Sequence, residues 1–145
     1  MDVHIDIAGS QELDALPAFY DETEYGGGTL PSDRIVVAVS EGRLVGAYRL
    51  AREQGLLVLR GMRIRSEHRR QGIGRRLLQA LTDVSEPCYC VPYAYLAHFY
   101  GQAGFVLLAE AETPGLLRAR AAEYRRRGLD VVVMGRRPTW EDGTK

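Results

Sequence analysis

Met62-Arg-Ile-Arg-Ser-Glu-His-Arg-Arg-Gln-Gly-Ile-Gly-Arg-Arg-Leu-Leu78 runs from the end of an apolar strand, through a turn with two glycines, into leucines at helical spacing. Strand, glycine turn and helix in that order build an anion seat. The first amides of a helix have no partner within it, and the helix dipole adds positive charge at the same end. Gly72 and Gly74 carry no Cβ, so an anion can approach the backbone closely. Arg69, Arg70, Arg75 and Arg76 add positive charge around the turn, which suits a pyrophosphate. Two ligand classes that use such a seat fail on detail. A dinucleotide turn wants G-x-G-x-x-G, and Leu77 stands where the third glycine belongs. A Walker loop needs G-K-[ST], and the only lysine is Lys145. A purely structural reading also stands: a tight glycine loop with solvated arginines.

Outward from the turn, the 145 residues read as one domain, 1–145, without an internal repeat. Residues 3–8 alternate as a first strand. Ser10 then caps a helix spaced by Leu13, Leu16, Phe19 and Tyr20, and Tyr25 to Pro31 form a flexible loop. Residues 35–39 and 44–50 flank Ser40-Glu-Gly-Arg43 as a hairpin, and 56–64 form the strand that enters the turn. Beyond it come a helix at Leu77, Leu78 and Leu81, a strand at 89–91, a helix at 93–102 and a strand at 105–109. Thr113-Pro114 is a capping residue followed by proline at the first helical position. Leu117, Ala121 and Tyr124 give that helix an inner stripe, and Gly128 suits its C-terminus. Residues 129–134 close the chain as a last strand. The order β-α-β-β-β-α-β-α-β-α-β predicts an α/β (α+β) fold, a mixed sheet with helices packed on it.

Lys+Arg and Asp+Glu both number 19, so the formal net charge is zero and a uniformly basic nucleic-acid binder is excluded. The charge is nevertheless segregated: residues 1–33 carry eight acids and no Lys or Arg, while residues 60–76 carry seven arginines against Glu67. Cys88 and Cys90 are too close for a disulfide framework; on a strand they share one face and read as core, and no metal site is expected. The amino terminus lacks the basic and apolar regions of a signal peptide, and the apolar runs are strand-sized, so a soluble cytoplasmic protein is expected, with no membrane partner.

A third class of ligand fits the turn. Arg69-Arg-Gln-Gly72-Ile-Gly74 matches R/Q-x-x-G-x-G/A, and Tyr100-Gly-Gln-Ala-Gly104-Phe105, 26 residues past Gly74, matches Y-x-x-x-G-F. On these two motifs the chain resembles the GNAT superfamily of N-acetyltransferases. The resemblance covers residues 35–109 well and the first 34 by element order alone. It implies a mostly antiparallel central sheet of about seven strands flanked by helices, and acetyl-coenzyme A (acetyl-CoA) as cofactor; the helix at 113–127, between the last two strands, is extra to the commonest family pattern. It further implies that Arg69, Arg70, Gln71, Gly72, Ile73, Gly74 and Arg75 receive the pyrophosphate. The main chain of Met62, Arg63 and Ile64 would hold the pantetheine and donate to the thioester carbonyl. Tyr100 would be the general acid that protonates the departing thiolate. A tyrosine packed beside Phe99 and Phe105 for burial alone is the competing account. The asparagine that the family often places seven residues before the tyrosine is Tyr93 here.

Transfer to an amine needs a neutral nucleophile, because a free alkylammonium titrates near ~10.4. Residues 57–64 contain no carboxylate that could act as base. Glu22 and Glu24, near the glycine loop, are candidates for the acceptor side, and Glu53 lies upstream of the strand. Arg60 and Arg63 interrupt an apolar strand; they either pair with the acidic first third or hold a carboxylate or phosphate of the acceptor. His98 reads as surface. Arg118, Arg120 and Arg125 to Arg127 load the outer face of the helix at 113–127, which is a solvated helix, a lid over the acceptor pocket or a homodimer surface. The reading is an acetyl-CoA-dependent N-acetyltransferase acting by direct attack in a ternary complex, with a small-molecule or peptide amine as acceptor. The acidic first third would line the side where a cationic amine approaches. The alternative is a GNAT-like module that binds acetyl-CoA as a sensor or regulatory partner.

Overall fold

A computed structural model describes residues 2–138. The elements are β1 (His4–Ile7), α1 (Ser10–Glu22), β2 (Arg34–Ser40), β3 (Arg43–Glu53), β4 (Leu56–Ile64), α2 (Ile73–Gln79), β5 (Cys88–Cys90), α3 (Ala97–Gly101), β6 (Val106–Leu107), α4 (Gly115–Arg126) and β7 (Met134–Arg136). This is the expected order. One seven-stranded sheet contains every strand in the sequence β1-β2-β3-β4-β5-β7-β6. All neighbours pair antiparallel except β4 and β5, which are parallel.

Alternation along the strands sorts the core into two faces. Val36, Ala38, Leu57 and Leu59 point to the side covered by α2 and α3, where Leu77, Leu78, Tyr100 and Phe105 meet them. Ile35, Val37 and Ala47 point the other way, under Leu16, Phe19 and Tyr20 of α1. On that same side Val58 packs beneath Leu117 and Ala121 of α4. Both cysteines are buried on the α2–α3 side.

Several boundaries differ from the sequence reading. Gly9, not Ser10, is the N-cap of α1; Glu12 reaches back to accept from the Gly9 amide at 2.7 Å, and Leu13 stays exposed. Pro114, not Thr113, precedes α4, because the Thr113 hydroxyl is bound to the Ala109 carbonyl at 2.8 Å. Gly128, with φ at +85°, ends α4 as expected, its amide bonded to the Arg125 carbonyl. The helix expected over 93–102 begins as a 3-10 turn at Ala94–Leu96 and becomes α3 only from Ala97. The last strand lies at Met134–Arg136, not 129–134. Residues 130 and 132 instead bond to residues 94 and 92, through Ala94 N to Asp130 O at 2.8 Å and Val132 N to Pro92 O at 3.0 Å.

Candidate active site

Strands β4 and β5 pair only at Leu57–Cys88 and Val58–Tyr89. β4 then continues to Ile64 while β5 stops at Cys90, since Pro92 has no amide to donate and residues 92–94 turn to meet 130–132. The two parallel strands therefore splay. A cavity of about 230 Å³ opens between them, lined by Leu59 to Arg63 of β4, Cys90 to Tyr93, Leu96 and Tyr100, and closed by Tyr25, Arg120 and Tyr124. Beyond Val58, the β5 side of β4 has no strand partner among the described residues. Residues 60–64 thus have no strand partner on this side, while the carbonyls of Gly61, Met62 and Ile64 accept from the side chains of Tyr20, Arg63 and Arg69.

A bulge shapes the β4 wall. Arg60 pairs with Arg49 and Arg63 with Ala47, so Gly61 and Met62 together oppose Tyr48. Gly61 has φ at +66°, and a Cβ there would stand 2.9 Å from the Tyr20 hydroxyl, which donates to the Gly61 carbonyl. The extra residue resets the alternation: Leu57 and Leu59 face α2 and α3, and so do Met62 and Ile64. Arg60 and Arg63, three apart, therefore share the opposite face, where regular pleating would separate them.

Arg60 lies 3.6 Å from Glu53, which Arg120 of α4 grips with both Nη atoms. Arg63 donates from Nε to the Thr23 carbonyl at 3.1 Å and from Nη1 to the Met62 carbonyl at 3.0 Å, and sits 5.3 Å from the Tyr25 ring centroid. Ion pairing with the acidic first third is therefore corrected: Arg60 pairs with Glu53 of β3, and Arg63 meets that third through a carbonyl and a ring. Arg120 and Tyr124 bring α4 to the cleft, on the side where a cover for the acceptor pocket was one of the readings of this helix. Arg120 was assigned to the outer face of its helix, but it adjoins Ala121 in the inward stripe, and that phase was the available clue.

The turn after β4 keeps its expected character. The first helical bond of α2 is Arg76 N to Gly72 O, at 3.1 Å, which leaves the amides of Gly72, Ile73, Gly74 and Arg75 without helical partners. Gly72 is exposed, has φ at +79°, and meets nothing within 4 Å where a Cβ would stand, so the ground above it is clear for an anion. Gly74 serves packing instead: a Cβ there would be 2.9 Å from Phe99 and 3.0 Å from Ile64. Arg69, Arg70, Gln71 and Arg75 are exposed around the turn. Arg65 is not a ligand residue; it is buried, donates to the Leu44 carbonyl at 2.6 Å and pairs with Glu22 at 3.0 Å. These residues fit a pyrophosphate-bearing coenzyme whose arm enters the splay.

Tyr100 is buried on α3 with its ring edge-on to Phe99 and Phe105, and it lines the cleft. Packing and position at the cleft thus hold together. Burial pushes its phenol well above the ordinary tyrosine value; neighbouring Cys90 adds to the rise and the Arg63 guanidinium opposes it. Cys90, also on the cleft, is held protonated by burial in the same way.

The acids of the first third are not brought to the cleft. Glu22 is bound to Arg65, Glu12 to the Gly9 amide, and Asp33 to Arg49 in a fully buried pair at 2.7 Å. Glu24 stands in a left-handed turn outside the lining. Among the described residues no Asp, Glu or His lines the cleft.

The Acetyltransferase (GNAT) domain family matches residues 31–107, more than half of the sequence, and the chain belongs to that family. Among solved structures, N-acetylglutamate synthase from Neisseria gonorrhoeae, complexed with coenzyme A and N-acetyl-glutamate, is 20% identical with a TM-score of 0.66. That match covers 94% of this chain but only 35% of the synthase chain. Escherichia coli ElaA is 16% identical (TM-score 0.67) over 93% of this chain and 99% of its own. An acyl-CoA N-acyltransferase from Pseudomonas aeruginosa is 21% identical (TM-score 0.64) over 93% and 98%. At these identities the likeness is one of fold. No curated protein sequence matches the chain. No helix among the described residues is long and apolar enough to cross a membrane.

Proposed function

We propose that residues 1–145 act as one acetyl-CoA-dependent N-acetyltransferase domain. The observation that carries this reading is the splay of β4 from β5 with Tyr100 on its wall, continued by the glycine turn at the end of β4. Acetyl-CoA supplies a thioester: the amine nitrogen bonds to the acetyl carbon, the C–S bond breaks, and coenzyme A leaves as the thiol. The amides of residues 72–75, with Arg69, Arg70, Gln71 and Arg75 around them, would hold the pyrophosphate. The main chain of Met62 to Ile64 would align the coenzyme arm along β4 and donate to the carbonyl oxygen as it gains charge. Tyr100 keeps its proton on Oη at any working pH and delivers it toward the departing sulfur. The coenzyme bound in the Neisseria synthase supports the cofactor assignment. Two free, buried cysteines suit a reducing, cytoplasmic setting.

Acetyl-CoA at about a hundred times its Kd should stabilise the native state by roughly 2.7 kcal/mol, while NAD and ATP should not, as thermal shift will show. No stabilisation by the coenzyme removes the reading. Tyr100→Phe should keep that stabilisation and lower kcat by about 10²-fold or more; unchanged turnover removes Tyr100 from the reaction. The absence of Asp, Glu and His from the lining favours one second reading, a binding module without turnover. Release of coenzyme A thiol across a panel of amines separates the two.

A further inference from the structure

The acceptor end of the cleft is cationic. Resting on the N-acetyltransferase reading, we propose that Arg60, Arg63 and Arg120 seat a carboxylate of the acceptor, so that the amine acetylated belongs to a free amino acid. Three guanidinium groups line this end, and the single carboxylate among them, Glu53, is already gripped by Arg120. The Arg60 side chain makes no hydrogen bond among the described residues; its 3.6 Å approach to Glu53 is an ion pair beyond hydrogen-bond reach. Its side chain is only 27% exposed, so its donors are partly withdrawn from water and face the cavity. Arg63 commits Nε and Nη1 to carbonyls and keeps Nη2. A planar fork with open donors in a half-buried site matches a carboxylate in both charge and shape.

The same charges argue against a simple alkylamine. Positive groups repel an alkylammonium, and a carboxylate on the acceptor offsets that repulsion. They also lower the acceptor's own ammonium pKa, since a like charge disfavours the charged form. A neutral amine then forms without a protein base, which accords with the lack of Asp, Glu and His in the lining among the described residues. With the coenzyme arm taking part of the roughly 230 Å³ cleft, the space left at the arginine end suits a small molecule whose amine and carboxylate lie close together. The helix α4, inserted between β6 and β7, acts here as a fixed wall. Its Leu117 and Ala121 are buried against the sheet while Arg120 and Tyr124 face the cleft.

The test compares free amino acids with their carboxamides at saturating acetyl-CoA, following release of coenzyme A thiol. We expect kcat/KM to favour the acid by about tenfold or more, equivalent to about 1.4 kcal/mol. Arg60→Gln and Arg120→Gln should each pull that ratio toward one while the thermal shift given by acetyl-CoA persists. Amides or phosphoethanolamine used as well as the acids, or a ratio that survives both substitutions, overturns the carboxylate seat and leaves the acetyltransferase reading standing. If no amine turns over, the parent reading fails, and calorimetry judges the seat alone. Amino acid must then bind the coenzyme A complex where carboxamide does not, with the heat lost in Arg60→Gln; equal heats, or none, overturn it.

Discussion

The Tyr100 phenol and the Cys90 thiol both line the cleft, and burial raises the pKa of each. Cys88 behaves alike, pushed up to about 12 chiefly by burial. A thiol is a nucleophile only as thiolate, so neither cysteine can carry the acetyl group at neutral pH. In the native protein at about pH 8 a disulfide reagent should therefore label neither cysteine within minutes, and both once denaturant is added. Rapid labelling of a native cysteine would show that the core around β5 opens. The position of Tyr100 was legible from its motif, and the shared face of the cysteines from their spacing. Their protonation was not, because it depends on how completely Phe99, Phe105 and the sheet exclude water. Glu22 and Glu24 stood near the right loop in sequence, yet Arg65 draws Glu22 to the far end of β3, a partner separated by 43 positions.

β4 is where the sequence pattern held most and was read least. Its residues facing α2 and α3 fall at 57, 59, 62 and 64, a skip of one that the bulge explains, while Leu56 and Val58 pack on the other face. Read as a plain strand, it sends Arg60 and Arg63 to opposite faces; with Gly61 in the left-handed region they share one. Gly61→Ala should thus act twice. The backbone conformation and the 2.9 Å approach to the Tyr20 hydroxyl should cost about 1–3 kcal/mol in urea denaturation. The loss of the bulge should lower kcat/KM beyond what instability explains, measured below the melting range. Full activity at unchanged stability would mean that the bulge does not set the arginines. Elements with strong periodicity, such as α4 and the β2–β3 hairpin, were legible. β6 fell within the strand expected at 105–109, but the shift of β7 to Met134–Arg136 was not legible, since three residues carry no period and their place is fixed by hydrogen bonds to distant segments.

Across the whole molecule the segregated charge of the sequence is rejoined by folding. Asp33 meets Arg49, Glu22 meets Arg65, and neither pair lines the cleft, so among the described residues Glu53 is the one carboxylate set against the three arginines of β4 and α4, and the acceptor end stays cationic. The titration of the whole chain is uneven in a related way. Of the lowered carboxyls, Glu22, Glu86 and Glu123 owe their shift to exposed or half-exposed arginine pairs and Glu67 chiefly to a backbone hydrogen bond, and these contribute little stability. The raised phenols and thiols are in the core: Tyr20, Tyr48, Tyr100, Cys88 and Cys90, each shifted chiefly by burial. A group whose folded pKa is raised binds its proton more tightly when native, so its stability is whole below the unfolded pKa and drains away as pH rises past it. Unfolded cysteine titrates near ~8.5 and tyrosine near ~10, so the loss should begin above about pH 8.5 and steepen above about 10. On the acid side the loss should begin only near about pH 4.3, where unfolded glutamate titrates, and stay shallow at first. Melting temperature measured across pH should therefore be flat through neutrality and fall more steeply toward alkali than toward acid. A symmetric profile would mean that the buried phenols and thiols are wetter than the packing around Tyr48, Cys88 and Tyr100 implies.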